Sequence, residues 1–285
     1  MFLLKIMRRL PMENENLSLS NEEFQKLRSF VLRSIGVNLS DAKRALVISR
    51  LSKHIRKKGL HSFTQYINIV EQNEQEKEKL FNLITTNVTN FFREVHHFHF
   101  LTNEFIPSLM TKQGKVVRVW SAACSSGEEP YSIAMTLESA LGKTNMDYKI
   151  LASDVNTEML QKAKAGIYRH EEVKGISYDH LKTFFKLGQG ENKGLFKIKE
   201  NVQKKIVFQR INLVGNERYP IKNKLDIIFC RNVFIYFSKE TQKYLLDRFY
   251  EQLSPGGILI LGHSESIANH PNKWRLIHKT IYKKI

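Results

Sequence analysis

The chain has 285 residues, 42% of them hydrophobic, with 45 Lys and Arg against 28 Asp and Glu, a formal charge of +17. That length holds one large domain, or a domain with a small companion, and the charge calls for an acidic partner: nucleic acid, an anionic membrane surface or an acidic protein face. Two widely separated cysteines, Cys124 and Cys230, exclude a disulfide framework and suit a reducing cytosol, and no apolar run reaches the length of a membrane span.

Met1–Leu10 is apolar and basic, interrupted by Lys5 and without a cleavage site, so it reads as a disordered or surface-binding tail and not a signal peptide. Pro11–Ser20 is a polar, flexible lead-in. Asn21–Gly36 is predicted helical, with Asn21 as its cap and Phe24, Leu27, Val31 and Ile35 at helical spacing. A second helix covers Asp41–Lys58. Its apolar face carries Ile48, Leu51 and Ile55, and its other side carries Lys43, Arg50, Lys53 and Lys57. Ser62–Glu71 and Gln75–Thr85 complete a small all-α unit over 21–85, whose basic face is either a docking surface or an ordinary solvated one. Residues 86–100 link this unit to the rest, with Asn87 or Thr89 capping a helix that starts near Phe91. His96, His97 and His99 lie on that helix, but no cysteine or carboxylate is spaced to complete a metal site. Arg93 stands beside two phenylalanines at the junction.

Val116–Ala134 organises the remainder. Val116–Trp120 is a β-branched, apolar run suited to a buried parallel strand, a loop of small residues follows, and Glu128, Glu129 and Pro130 open a helix. Strand, tight loop and helix N-terminus form a nucleotide crevice in open α/β sheets. A phosphate site needs exposed glycine N–H groups and often a lysine, whereas this loop has one glycine and two carboxylates. It suits a cationic or zwitterionic ligand such as S-adenosylmethionine, or it is a plain βα turn. Tyr148–Ser153 is a second strand ending at Asp154, a carboxylate placed to hold a ribose diol or to cap a helix over Thr157–Ala165. The rhythm breaks over about 166–205. Gly188, Gly190 and Gly194 there punctuate a hairpin at Lys186–Glu200. It resumes with Ile206–Gln209, Asn212-Leu213 and the buried strand Leu225–Cys230. That strand runs into Arg231-Asn232-Val233-Phe234-Ile235-Tyr236, where α/β enzymes place reacting groups. A helix over Lys239–Leu253, a strand at Gly257–Leu261, the polar loop His263-Ser264-Glu265-Ser266 and closing strands in Trp274–Ile285 complete the chain.

Together TTNVTNFFRE, VWSAACSSGEEPYSIA, SDVNTEML, FCRNVFIYF and GGILILGHSES resemble the chemotaxis receptor methyltransferases, S-adenosylmethionine-dependent protein-glutamate O-methyltransferases. The likeness runs in order from about Ser20 to the C-terminus. It implies an α/β protein: a small all-α N-terminal domain, then a seven-stranded Rossmann-like methyltransferase domain over 101–285 with an inserted antiparallel β-subdomain. Carried over by motif, Asn87, Thr89 and Arg93 reach the cofactor from the linker. Glu129 binds its amino end, Asp154 its ribose, Asn212 and Leu213 flank its adenine, and Arg231 and Asn232 line the pocket below Tyr236. The family's third alanine and following serine-threonine read here as Cys124-Ser125-Ser126, all small, with Cys124 a packing residue.

A glutamate nucleophile with a pKa of ~4.3 is ionised at neutral pH, so no general base is required. Arg93 and Tyr236 are the candidates for holding it in line, Arg93 having a structural ion pair as its alternative role. A nucleic-acid methyltransferase would suit the charge, but adenine-modifying enzymes of this fold carry prolines where Arg231-Asn232-Val233-Phe234 stands. No nucleic acid, metal or membrane insertion is expected. The expected protein is a cytoplasmic monomer whose Lys43, Arg50, Lys53 and Lys57 face acidic receptor helices. Its hairpin, with the edge strand at Gly194-Leu195-Phe196, would tether a receptor's C-terminal tail.

Overall fold

The computed structural model describes residues 17–109, 116–142, 144–215, 217–267 and 272–285. The expected tail at Met1–Leu10 lies outside them. Four helices come first: α1 (Asn21–Ile35), α2 (Arg44–Lys57), α3 (Phe63–Gln72) and α4 (Glu74–Ile84). They close a core of their own around Phe24, Leu51, Ile55, Phe63, Tyr66 and Leu80, all nearly inaccessible. Ser20, not Asn21, caps α1. Its hydroxyl accepts from Glu23 N while the Glu23 carboxylate accepts from Ser20 N, a reciprocal pair that satisfies two orphan donors. Leu19 is buried, so the end of the expected lead-in is part of this domain. The second helix begins with a 3₁₀ turn at Asp41–Lys43, and its buried side is Val47, Leu51, Ser52 and Ile55.

The linker does not start a helix at Phe91. Phe92 and Glu94 both take left-handed φ values, +52° and +59°, which hold the chain in turns until a helix begins at His96. Neither Asn87 nor Thr89 caps it; the residue before it is Val95, which supplies no side-chain bond. The helix continues through a π turn at Leu101–Phe105 to Leu109.

Seven strands form the main sheet: β1 (Val116–Ala122), β2 (Asp147–Asp154), β6 (Ile206–Arg210), β7 (Leu225–Phe229), β8 (Leu253–Ile260), β9 (Trp274–His278) and β10 (Ile281–Lys284). Their order is β6-β2-β1-β7-β8-β10-β9, parallel from β6 to β8, with β10 antiparallel to both its neighbours. The order reverses beside β1, and that switch point opens a crevice at the strands' C-terminal ends. Helices α5 (Glu128–Leu141), α6 (Thr157–Ala165) and α7 (Lys239–Gln252) follow β1, β2 and β7. Leu253, expected in the last helix, begins β8 instead, and that strand carries all of Leu253–Ile260.

The insertion is a separate three-stranded antiparallel sheet, β3 (Ile167–Arg169), β4 (Phe185–Leu187) and β5 (Leu195–Ile198), in the order β3-β5-β4. The stretch Gly194-Leu195-Phe196 is therefore no free edge: β5 is the central strand, paired on both sides. The open edges belong to β3 and β4, where Ile167 and Leu187 are exposed.

Candidate active site

Beyond the C-terminal ends of β1, β2 and β7 lies an open cleft of about 1100 Å³, counted out to its mouth. The sequence motifs converge here. Asn87, Thr89 and Arg93 come from the linker, Glu129 from the first turn of α5, Asp154 from the end of β2, Asn212 and Leu213 from the loop after β6, and Arg231, Asn232 and Tyr236 from the loop after β7. The helical domain closes the remaining side with Val37, Leu39 and Lys43.

The turn at β1 reaches α5 because Gly127 adopts φ +99°; a Cβ there would lie 2.8 Å from both Ala163 Cβ and the Tyr168 hydroxyl. This seats Glu129 on the floor of the cleft with 12% of its side chain exposed. Its carboxylate accepts from Ser121 Oγ at 2.7 Å and from Arg231 Nη1 at 3.2 Å. Burial still pushes its carboxyl up in pKa, outweighing the Arg231 charge. Asp154 is in the same condition: burial raises it, against hydrogen bonds from the N–H groups of Asn156 and Ser125, each 2.8 Å. Asn156, not Asp154, caps α6, its Oδ1 accepting from Met159 N at 3.0 Å. Asp154 is thereby released from the capping role its position offered. Two cleft carboxylates whose charged form is penalised by desolvation would be relieved by a cation, so the residues present fit a ligand that carries an ammonium and a sulfonium.

Arg231 is the buried counter-ion of this floor, with 2% of its side chain exposed. Besides Glu129 it meets Glu94 Oε2 at 3.3 Å and donates to the Arg93 carbonyl. Glu94 also accepts from Asn232 Nδ2 and pairs with His263 Nδ1, both at 3.1 Å. Burial alone would raise Glu94; the Arg231 charge and the bonds from His263 and Asn232 prevail and hold it at about 2. Asn232 is itself in a left-handed conformation, φ +58°, held by Glu265, whose Oε2 accepts from its N–H at 2.8 Å.

At the rim, Arg93 is one-third exposed. It donates through Nη1 to the Val88 carbonyl at 2.9 Å, and its Nε lies 4.0 Å from Glu94. That long contact is a weak ion pair, because Glu94 is already engaged by Arg231. The Tyr236 hydroxyl has no partner among the described residues, and the Lys43 ammonium sits 4.1 Å from the centre of the Tyr236 ring. Asn212 spends its side chain on the scaffold, donating to Ser34 O at 2.6 Å and accepting from Val214 N.

Residues 87–283 match the family described as "CheR methyltransferase, SAM binding domain", and residues 22–85 match "CheR methyltransferase, all-alpha domain". The chain belongs to the CheR methyltransferase family. The Escherichia coli (strain K12) protein named "Chemotaxis protein methyltransferase" is 40% identical over 270 residues, 94% of this chain and 92% of that one. "Chemotaxis protein methyltransferase 2" of Pseudomonas aeruginosa is 39% identical over 269 residues, 94% and 95% of the two chains. The Borreliella burgdorferi "Chemotaxis protein methyltransferase" is 38% identical over 280 residues, 95% and 97%. The protein is thus an S-adenosylmethionine-dependent methyltransferase of chemotaxis.

In this CheR-family site, three non-glycine residues with positive φ line the cleft, Ala123, Ser125 and Asn232, and two more, Phe92 and Glu94, flank Arg93 in the chain. Such strain persists only where surrounding bonds over-determine it. Three residues that the sequence did not place at the site belong here: Glu94 and His263, which had no role, and Lys43, which was expected on an exposed receptor-facing side. Glu94 lies inside the linker motif, but its partners Arg231 and His263 are remote in the chain. Among the described residues no cluster of His, Cys, Asp or Glu could hold a metal, and both cysteines are buried, which raises their thiols.

His97 lies behind Glu94, fully inaccessible, its Nε2 2.9 Å from Thr280 Oγ1. Burial, and then the Arg231 charge, push its pKa down to about 3. An unfolded histidine titrates near ~6.5, so the stability that neutral His97 contributes is complete above that pH and is lost as pH falls towards 3. His97→Gln should flatten the fall in Tm between pH 7 and pH 4; a slope identical to wild type would place the acid sensitivity elsewhere.

Proposed function

We propose that the enzyme methylates glutamate side chains of chemotaxis receptors, giving glutamyl methyl esters and S-adenosylhomocysteine. The cofactor supplies an electrophilic methyl on a sulfonium. A receptor glutamate, ionised at neutral pH, would take that methyl on a carboxylate oxygen while the C–S electron pair stays with sulfur, so the protein would need to move no proton. The observation that carries this reading is the rim: Arg93, Lys43 and the Tyr236 hydroxyl present donors for a carboxylate above a floor of carboxylates suited to a cation. In this reading Glu129, steadied by Ser121 and Arg231, takes the ammonium, and Asp154 takes the ribose hydroxyls. Asn212 and Leu213 flank the adenine, and Asn87, Thr89 and Asn232 complete the walls. Arg93 and Tyr236 hold the nucleophile in line and dry, the source of rate in a displacement without a base. The division of labour gives 21–85 the receptor-facing role, 86–100 a share of the cofactor site and 101–285 the chemistry. The test is incubation with labelled S-adenosylmethionine and a receptor cytoplasmic fragment, followed by alkali. Glutamyl esters release methanol, and base-stable label would defeat the assignment.

Two partner contacts follow from the same reading. Lys53 and Lys57 are exposed on α2 and suit an acidic receptor helix, whereas Lys43 is half-buried at the cleft and Arg50 is turned inward. Reversing Lys53 and Lys57 to glutamate should lower receptor methylation and blunt its salt dependence with S-adenosylhomocysteine affinity intact. Rates equal to wild type would make that face merely solvated. An extended receptor tail can add to an open edge of the small sheet, at β4 or β3, through main-chain bonds. Deleting Gly188–Gly194 should abolish capture of a tail peptide yet spare turnover of a tail-less fragment at high concentration; equal loss of both would reduce the hairpin to a fold element.

A further inference from the structure

Arg50 lies on the basic side of α2 in the helical pattern, yet it is half-buried and its guanidinium is engaged by backbone carbonyls. Its Nη1 is 2.8 Å from the carbonyl of Thr85, 3.1 Å from that of Ile84 and 3.3 Å from that of Leu83. Carbonyls at a helix C-terminus lack intrahelical partners and carry the negative end of the helix dipole, so a cation there satisfies both needs. The same end of α4 is also gripped from the sheet domain. Asn156, two residues beyond Asp154, donates through Nδ2 to Thr85 Oγ1 at 2.8 Å and to Asn82 O at 3.1 Å. Asn82 in turn bonds Thr157 through both its amide atoms, each at 3.0 Å. The chain leaving this grip is the cleft wall itself: Ile84, Thr85, Thr86 and Asn87 line it, and the Asn87 carbonyl accepts from Ser125 Oγ at 3.2 Å. Arg50 holds this wall from behind and is not itself one of the residues that line the cleft.

We infer that Arg50 is a positioning residue for the cofactor: it fixes where α4 ends and so where the linker delivers Asn87. The inference rests on the assignment of Asn87 to the cofactor site. It separates Arg50 from Lys53 and Lys57, whose work is on the outer surface.

The test is calorimetric titration of S-adenosylhomocysteine into the full chain with no receptor present. Arg50→Ala should raise Kd ~10-fold, the scale of one or two lost hydrogen bonds at a carbonyl cluster. Arg50→Lys, which keeps the cation, should recover most of the loss, and Lys53→Ala should leave Kd within two-fold. In a cycle with Asn87→Ala, the double variant should lose less than the product of the single losses, because both act on one wall. An unchanged Kd in Arg50→Ala, or losses that multiply in full, would overturn the inference. If the alanine variant does not fold, Arg50→Gln takes its place in the same comparison. A normal Kd for Asn87→Ala alone would instead remove Asn87 from the cofactor site, and Arg50 would then be judged on its own Kd.

Discussion

Asp154→Ala is expected to weaken binding of S-adenosylhomocysteine by ~1–3 kcal/mol, the cost of leaving buried polar groups without partners. The substitution strips the ribose hydroxyls of their acceptor. It also orphans the N–H groups of Ser125 and Asn156, each of which now donates to this carboxylate at 2.8 Å. Since Ser125 already holds φ +49°, losing that bond loosens a strained turn at the cleft. Calorimetry that finds wild-type affinity in the variant would take Asp154 out of the site.

Glu94→Ala should have the larger effect on stability, about 3 kcal/mol, the lower end of the range for breaking a buried ion pair because Arg231 keeps Glu129 as a partner. Methyl transfer should fall with it, since Asn232 and His263 lose a common acceptor and Arg231 loses one of its two carboxylates. The pH dependence gives a separate handle. Glu94 sits at about 2 in the fold, below an ordinary carboxylate, so its contribution is complete above pH ~4.5 and fades as pH falls towards 2. The variant should lack that component of acid sensitivity. A denaturation midpoint and turnover equal to wild type would show the network to be dispensable.

Much of this arrangement was legible in the sequence because its signals are local. A β-branched run, a loop of small residues and two acids before a proline specify β1, its turn and α5 without reference to the rest of the chain. The motifs carrying Asn87, Glu129, Asp154 and Asn232 each sit at a strand end or in the linker, and the parallel topology gathers such ends at one edge. What escaped depends on distance. Periodicity tells which side of α2 a residue occupies but not what stands opposite, so Arg50 reads as a surface cation until the carbonyls at the end of α4 are seen beside it. The central position of β5 escaped for a similar reason, since its second partner, β3, precedes it by a helical stretch. The turns at Phe92 and Glu94 carry no local sign, because neither residue favours a left-handed backbone; the Phe92 N–H donates to Ser132 Oγ and Arg231 pairs with Glu94, which hold that segment in place. The cap at Ser20 was missed by one position, where serine and asparagine are equally good candidates.

The seam between the helical domain and the sheet has one further consequence. Polar contacts cross it, Asn38 N to Tyr236 O at 2.8 Å, Asn212 to Ser34, Arg210 with Glu78 and Lys79 with Glu158, beside the packing of Val37 against both cores. A ligand in the cleft touches both sides of it and so acts as a crosslink between two units that the chain itself joins only through one short linker. The helical domain that lines one side of the cleft also carries the proposed receptor-facing lysines, Lys53 and Lys57. Binding free energies are reciprocal, so whatever factor the cofactor imposes on receptor affinity, the receptor returns in full on the cofactor.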